Sequence, residues 1–308
     1  MSHLRVGTRG SLLARAQTTQ VLNQIQALSP TMTWSEHLVK TEGDLTDQPL
    51  ATLTTPGIFV SALRDELLNG SVDVIVHSMK DLPANPHPGI TLAAIPLRED
   101  PRDTLISAVA ESFEALPRGA RVGTSSPRRE ASVRRLRPDL VVEPIRGNIT
   151  TRIEKVTRGD FDATILAKAG LVRAGLTSAI RQELDMKEFL PAPRQGALAI
   201  ECRSSDPDTI KLVGLVDDET SRITALAEQA VLVGLQAGCH VAIGAHASLT
   251  AGILDVHAEL AISSTGQAVT ASKQTLVNGN AHDQAETLGL LVAEELMKSP
   301  LSQEALRA

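Results

Sequence analysis

Two doubly wound α/β lobes followed by a small α+β domain are what this sequence predicts. Three observations carry the prediction. Short β-branched runs alternate with amphipathic stretches of helical period through the first two hundred residues. A segment with two prolines, Leu190–Gly196, interrupts that alternation. Beyond Asp218 the pattern changes to a long helix, two strand-like segments and a terminal helix. The expected division is a first lobe of residues 1–97 with 197–215, a second of 101–192, and a C-terminal domain of 218–308.

In chain order, Leu4–Thr8 reads as a strand, Ser11–Leu28 as an amphipathic helix and Trp34–Val39 as a second strand. Phe59–Asn69 predicts a helix with Phe59, Leu63 and Leu67 on one face. Val72–Val76 is an apolar, β-branched run of the kind found in a buried parallel strand, and Ile90–Ile95 is another strand. The second lobe is expected to hold strands at Arg121–Gly123, Leu140–Ile145 and Ala163–Leu166, with helices near 127–137, 149–158 and 168–175. Ala197–Glu201 reads as a strand returning to the first sheet, which makes the crossings near 97–101 and 190–196 a two-strand hinge. A helix from Thr220 to Leu235 is expected to end at Gly238, followed by a Gly-Cys turn, strands near 255–262 and 267–276, and a helix over 282–297.

Composition narrows the function. At 42% hydrophobic and 21% charged, the 308-residue chain has an ordinary globular balance, and no apolar run approaches a membrane span. The N-terminus lacks an apolar signal core, and Cys202 and Cys239 are too few for a disulfide framework; both point to the cytoplasm. Four Phe, one Trp and no Tyr argue against the stacking platforms that hold single-stranded nucleic acid. The net charge of −6 conceals an asymmetry, because residues 98–194 carry 15 Arg, three Lys and 14 acids. Arginine pairs carboxylates and phosphates through a planar fork. The middle of the chain is either a solvated basic surface or a lobe built for a small polyanion.

Four turns carry the candidate chemistry, each expected at the carboxyl end of a strand, where open α/β sheets bind ligands. Thr8-Arg9-Gly10-Ser11 follows the first strand. His77-Ser78-Met79-Lys80-Asp81 follows the buried run and places Ser78, Lys80 and Asp81 on a site rim. Gly123-Thr124-Ser125-Ser126-Pro127-Arg128-Arg129 joins a strand to a helix start, where free amides and a proline at the first position favour anions. Ile145-Arg146-Gly147-Asn148 leads into a helix containing Arg152, and Arg173 lies within a further helix. Cys239 falls in a loop, where it is either an exposed reactive group or a small apolar filler. The histidines near it lack metal-site spacing, so no metal is expected. Cys202 reads as structural.

Taken together, these motifs resemble the porphobilinogen deaminase (hydroxymethylbilane synthase) family over nearly the whole chain. The matching residues are Gly7-Thr-Arg-Gly-Ser11, Val76-His-Ser-Met-Lys-Asp-Leu-Pro83, Arg98-Glu-Asp-Pro-Arg-Asp103, Gly123 to Arg129, Arg146-Gly-Asn148 with Arg152, Gln195-Gly-Ala197 and Gly238-Cys239. The resemblance implies two lobes like those of a type II periplasmic binding protein, and a dipyrromethane cofactor bonded through a thioether to Cys239. It implies a transferase that adds four porphobilinogen units with loss of ammonia and releases hydroxymethylbilane for tetrapyrrole synthesis. Asp81 then serves as the catalytic carboxylate, stabilising the cations that form as ammonia leaves. Arg9, Arg128, Arg129, Arg146, Arg152 and Arg173 match positions that hold acetate and propionate groups. Ser11, Ser78, Lys80, Thr124, Ser125, Ser126 and Gln195 match supporting contacts. The expected partners are porphobilinogen and the growing polypyrrole, with a monomeric protein and neither nucleic acid nor membrane.

Three departures stand out. The stretch Leu53–Ile58 lacks the family's Gly-Gly-Lys-Gly lysine, Arg194 replaces a connector glycine, and Ala242 stands where proline is usual. Between Lys40 and Arg64 there is no base, so Thr41–Ile58 is expected to act as a gate without side-chain cations. The rival reading is a two-lobed solute- or effector-binding protein without catalysis; it leaves Cys239 unexplained.

Overall fold

The computed structural model describes residues 3–40, 60–238 and 240–307. The expected gate at Thr41–Ile58, and Cys239 itself, lie outside the described residues. The chain divides into two compact units, Met1–Glu99 with Ala197–Arg222, and Asp100–Gly196 with Ile223–Ala308.

In the first unit a five-stranded sheet runs in the order β2-β1-β3-β10-β4. Its strands are β1 (His3–Thr8), β2 (Thr33–Leu38), β3 (Val74–Ser78), β4 (Ile90–Ala94) and β10 (Leu198–Arg203). β1 is parallel to both β2 and β3, whereas β10 is antiparallel to β3 and β4. The helix Leu12–Leu28 buries Val21, Leu22 and Ile25 on one face of the sheet, with Leu4, Val6, Val74 and Val76 beneath. The helix Ser61–Leu68 covers the other face through Leu63 and Leu67, packed with Val72 and Ile75. Covering on both faces explains why β3 is apolar at consecutive positions. β3 starts two residues later than its apolar run, because the Val72 N–H donates to Glu66 O at 3.2 Å, in the helix that precedes it. Pro207–Val213 is a short helix that the pattern did not reveal; Asp206 caps it by accepting from Thr209 N.

In the second unit a sheet of order β7-β6-β8-β5-β9 contains β5 (Asp103–Ser107), β6 (Arg121–Gly123), β7 (Val141–Glu143), β8 (Ala163–Ala167) and β9 (Gln182–Glu183). β6 is parallel to β7 and β8, and β5 is antiparallel to β8. Leu105, Val122, Val133 and Ile165 fill its core, with Phe113 and Phe189 meeting edge to face at 5.0 Å. The wholly buried strand β5 escapes sequence reading, since it is short and opens on an aspartate. The C-terminal part is an antiparallel meander of β11 (Ala242–Thr250), β12 (Ile253–Ala261) and β13 (Ala268–Leu276). The helices Glu219–Leu235 and Ala281–Met297 pack on it, and their core includes Val231, Leu254, Val256 and Val292. A Cβ at Gly289 would lie 2.2 Å from Ala227 O, so only glycine permits this helix crossing.

Two expectations in this part are corrected. The helix before the cysteine ends on Gln236, whose φ of 51° takes the left-handed position expected of Gly238. Gly238 has no positive φ, and a Cβ there would meet only the exposed His240 ring, at 2.8 Å, which can swing away. The two strands expected after the cysteine turn are three, with β11 added directly after Val241. Its glycine and alanines are poor strand formers, but a Cβ at Gly244 would lie 3.0 Å from Leu190 O, so close packing selects small residues.

Candidate functional site

In the first unit, β1 and β3 are adjacent and parallel, so the turns that follow them leave the same sheet edge. Arg9 is half-buried on the first turn, and Ser11 caps the helix that follows, its side chain accepting from Ala14 N at 3.3 Å. A Cβ on Gly7 would come within 2.9 Å of Ile75 Cγ2, which explains the glycine one residue before the end of β1. At the end of β3, Ser78 Oγ accepts from Gln17 Nε2 at 2.8 Å. A single 3₁₀ turn, Met79–Asp81, comes next. Buried Met79 anchors this turn, and its N–H donates to Ala197 O at 3.0 Å. Asp81 is consequently exposed on a fixed backbone, with Lys80 half-buried beside it.

Behind that turn lies a buried charged group. Arg64 reaches Glu201 with contacts of 2.5 and 3.0 Å, and His77 Nε2 stands 3.4 Å from the same carboxylate. Burial opposes ionisation of Glu201, but the adjacent His77 ring and the hydrogen-bonded Arg64 guanidinium outweigh it and hold the carboxyl down at about 2.

In the second unit the parallel strands β7, β6 and β8 lie side by side, and their carboxyl ends carry the predicted arginines. After β6, Ser125 Oγ donates to Ile145 O at 2.8 Å, and Thr124 Oγ1 accepts from Ser126 N at 3.2 Å. Ser126 caps the helix Pro127–Leu136 by accepting from Arg129 N, with proline in the first turn. The hydroxyls expected to support a ligand therefore also shape this turn.

Arg128 and Arg129 are both buried against Asp103, which is wholly buried at the start of β5. Arg128 also donates to Leu190 O at 2.7 Å. Burial would raise the Asp103 carboxyl, yet the two guanidinium groups hold it well below the usual carboxylate range. Burial lowers Arg128, and Asp103 opposes that fall.

After β7, Gly147 adopts a φ of 107°, and Asn148 caps the helix Ile149–Thr157 by accepting from Thr151 N at 3.0 Å. This brings Arg152 back over the turn, where its Nε donates to Gly147 O at 2.8 Å. Burial lowers the Arg152 guanidinium to about 10, and repulsion from Arg129 and Arg146 adds to the fall. After β8, the helix Lys168–Arg173 ends in Arg173, whose Nη2 donates to Gly196 O at 2.8 Å. Gln195 is fully buried, and its amide nitrogen donates to Pro101 O and Asp103 Oδ1.

Each unit thus gathers its own predicted residues. Arg9, Ser11, Ser78, Lys80 and Asp81 share one sheet edge, while Arg129 and Arg146 both lie close enough to Arg152 to repel its charge. Sequence reasoning missed Asp103, although it closes the quoted run Arg98–Asp103. A buried acid opposite paired arginines leaves no local spacing signal, since the partners are 25, 26 and 92 residues apart. Cys202 is buried, and burial pushes its thiol up to about 12, which suits a structural role. Among the described residues there is no cluster of three metal-ligating side chains and no helix long and apolar enough to cross a membrane.

Residues 4–211 match the porphobilinogen deaminase dipyromethane cofactor binding domain, and residues 222–298 match the porphobilinogen deaminase C-terminal domain. A porphobilinogen deaminase of Nocardia farcinica is 43% identical over 96% of this chain and 86% of its own length. That of Syntrophobacter fumaroxidans is 41% identical over 96% and 94%. Among solved structures, a nutrient-binding protein from Burkholderia cenocepacia bound to methionine overlays 76% of this chain and 96% of its own, at 13% identity and a TM-score of 0.43. Substrate-binding domain 2 of Lactococcus lactis GlnP overlays 70% and 88%, at 11% identity and a TM-score of 0.42. With both domain descriptions matched in order and relatives above 40% identity along nearly the full length, this chain belongs to the porphobilinogen deaminase family.

Proposed function

We propose that the protein is a transferase that joins four porphobilinogen units, with loss of ammonia, on a dipyrromethane primer and releases hydroxymethylbilane. The observation that carries this reading is the group formed by Arg129, Arg146 and Arg152, in which Arg152 is lowered to about 10 by burial and by its two neighbours. Like charges are held together here at a cost that a polyanion would remove. A primer and product whose rings each bear two carboxylates have that chemistry, so the residues present fit the cofactor. When bound, the dipyrromethane supplies the terminal pyrrole carbon onto which new units are joined.

The roles assigned to this chain's side chains follow from their chemistry. Cys239 bonds the primer through its sulfur. Arg146 and Arg152, with Arg129, hold carboxylates; Arg9 and Arg173 add charged donors, and Arg128 braces the group from behind. Thr124, Ser125 and Ser126 shape the turn that carries the arginines. Ser11, Ser78 and Lys80 flank Asp81, whose carboxylate stabilises developing positive charge and moves a proton at Oδ. The functional divisions are the two lobes, 1–97 with 197–215 and 101–192, and the cysteine-bearing domain 218–308. The enzyme is read as cytoplasmic and monomeric, acting on porphobilinogen and the growing polypyrrole, without nucleic acid or membrane.

Intact mass of the purified protein tests the reading. A covalent adduct of two pyrrole units is expected, lost in Cys239→Ser together with turnover. A protein of unmodified mass that leaves porphobilinogen unconsumed would refute it.

A further inference from the structure

The carboxylate of Asp103 stands where two parts of the second unit meet. Its Oδ2 accepts from Arg128 Nη2 at 2.7 Å and Arg129 Nε at 3.2 Å. Its Oδ1 accepts from Arg129 Nη2 at 2.8 Å and Gln195 Nε2 at 2.8 Å. A carboxylate offers about four acceptor sites, so these four donors saturate it. Two come from one guanidinium in a fork, which fixes the plane of Arg129. The backbone that carries Asp103 is itself held, paired with Ala167 on β8 and accepting from Leu184 N at 2.9 Å.

The Gln195 side of this junction belongs to the segment through which the chain leaves the second unit for β10. That segment is held residue by residue. Leu190 O accepts from Arg128, and Pro191 O accepts from Ala245 N on β11 at 2.9 Å. The N–H of Arg194 donates to the fully buried Glu228, which also accepts from Ala247 N at 2.8 Å. Arg194 has a φ of 64°, in the left-handed region that favours glycine. Gly196 O accepts from Arg173. Arg128 and Gln195 thus both join Asp103 to this one segment.

We propose that Asp103 is a positioning residue that aims Arg129 at the anion and ties the arginine group to segment 190–196. A guanidinium held in a fork cannot turn toward a carboxylate without tilting Asp103, and a tilted Asp103 shifts its bond to Gln195. Occupation of the arginine group is thereby felt by the backbone at Gln195 and Gly196. The proposal rests on the deaminase reading for its kinetic arm.

Three variants of the full chain, Asp103→Asn, Asp103→Glu and Gln195→Met, decide the matter. Each is assayed for KM and kcat with porphobilinogen and for hydrogen exchange at the amides of residues 194–197. By charge alone, removing a negative group from between two arginines should tighten anion binding and lower KM. Positioning predicts the opposite for D103N: KM raised about tenfold or more and exchange at 195–196 accelerated at least tenfold. D103E keeps the charge but moves the carboxylate by one methylene, and its KM should rise as well. Q195M leaves both arginine pairs intact, so its kcat should fall several-fold with KM little changed, and exchange should quicken. A lowered or unchanged KM in D103N, or a parental KM in D103E, would overturn the proposal. Should D103N fail to fold, Q195M with parental kcat and exchange would overturn it equally. An unmodified variant-free protein without turnover would sink the deaminase reading instead, and the exchange comparison would still read the link from Asp103 to Gln195.

Discussion

Replacing Arg152 by glutamine should make the cofactor-free protein more stable and the enzyme worse. Arg152 lies over the turn after β7, lowered to about 10 by burial, with Arg129 and Arg146 pushing the same way. A fall of that size corresponds to about 3 kcal/mol of unfavourable free energy in the charged form. The side chain reaches solvent and is screened by salt, so about 1–2 kcal/mol is the fair expectation. Glutamine can still donate to Gly147 O, which Arg152 Nε reaches at 2.8 Å, so the substitution keeps the local hydrogen bond. The sign with pH follows from the lowered value. Below about 10 the folded state carries the charge at a cost, and that cost fades as pH rises above about 10 toward the ordinary arginine range, where the unfolded state also loses its proton. The experiment compares R152Q with its parent in a Cys239→Ser background, which on the proposed attachment holds no primer. Thermal unfolding should show a rise of a few degrees at pH 7 to 9, shrinking at high salt and above pH 10. With Cys239 restored, R152Q should lose about ten- to a hundredfold in kcat/KM, since a charged hydrogen bond to substrate contributes about 1.5–3 kcal/mol. An R152Q protein less stable than its parent without primer, or one with unchanged kcat/KM, would refute the reasoning.

The remaining expectations concern single residues. In C239S the two-pyrrole mass adduct should vanish, whereas Cys202→Ser should retain it; the Cys202 thiol, pushed up to about 12 by burial, should resist alkylation at pH 8 in the folded protein. Asp81 is exposed, so Asp81→Asn should melt within a degree or two of its parent, while turnover falls about 10²–10⁴-fold in a steady-state assay. Glu201→Gln should lose about 3 kcal/mol in urea unfolding at pH 7, because its folded carboxyl is held near 2 against 4.5. That contribution is complete above about pH 5 and disappears as pH falls toward 2, so the parent and E201Q midpoints should converge in acid.

Much of the architecture was legible because it is local. Ser11, Ser126 and Asn148 each accept from a backbone N–H three residues ahead, so a reader of the chain can place the helix starts without knowing any distant contact. The buried run before Ser78 announces a doubly covered strand, and the motifs that follow β1, β3, β6 and β7 stand at strand carboxyl ends, the edges that open α/β sheets generally use for ligands. The same motifs, in their order along the chain, also carried the resemblance to the family.

What tertiary structure alone decided is how the charged side chains are spent. From sequence, Arg128 and Gln195 look like ligand contacts; in the fold they are buried against Asp103, Leu190 and Pro101, none of them at a helical or strand spacing. β11 hid in alanine and glycine, because its small residues answer to Leu190 packing close by and not to strand propensity. Gln236 could take the left-handed turn expected of Gly238, and Arg194 the one where the family has glycine. In both cases surrounding contacts outweigh an intrinsic cost of about 1–3 kcal/mol. Local sequence sets caps, periods and turns, because those depend on neighbours within four residues. The fate of a buried charge depends on which distant group the fold brings to it.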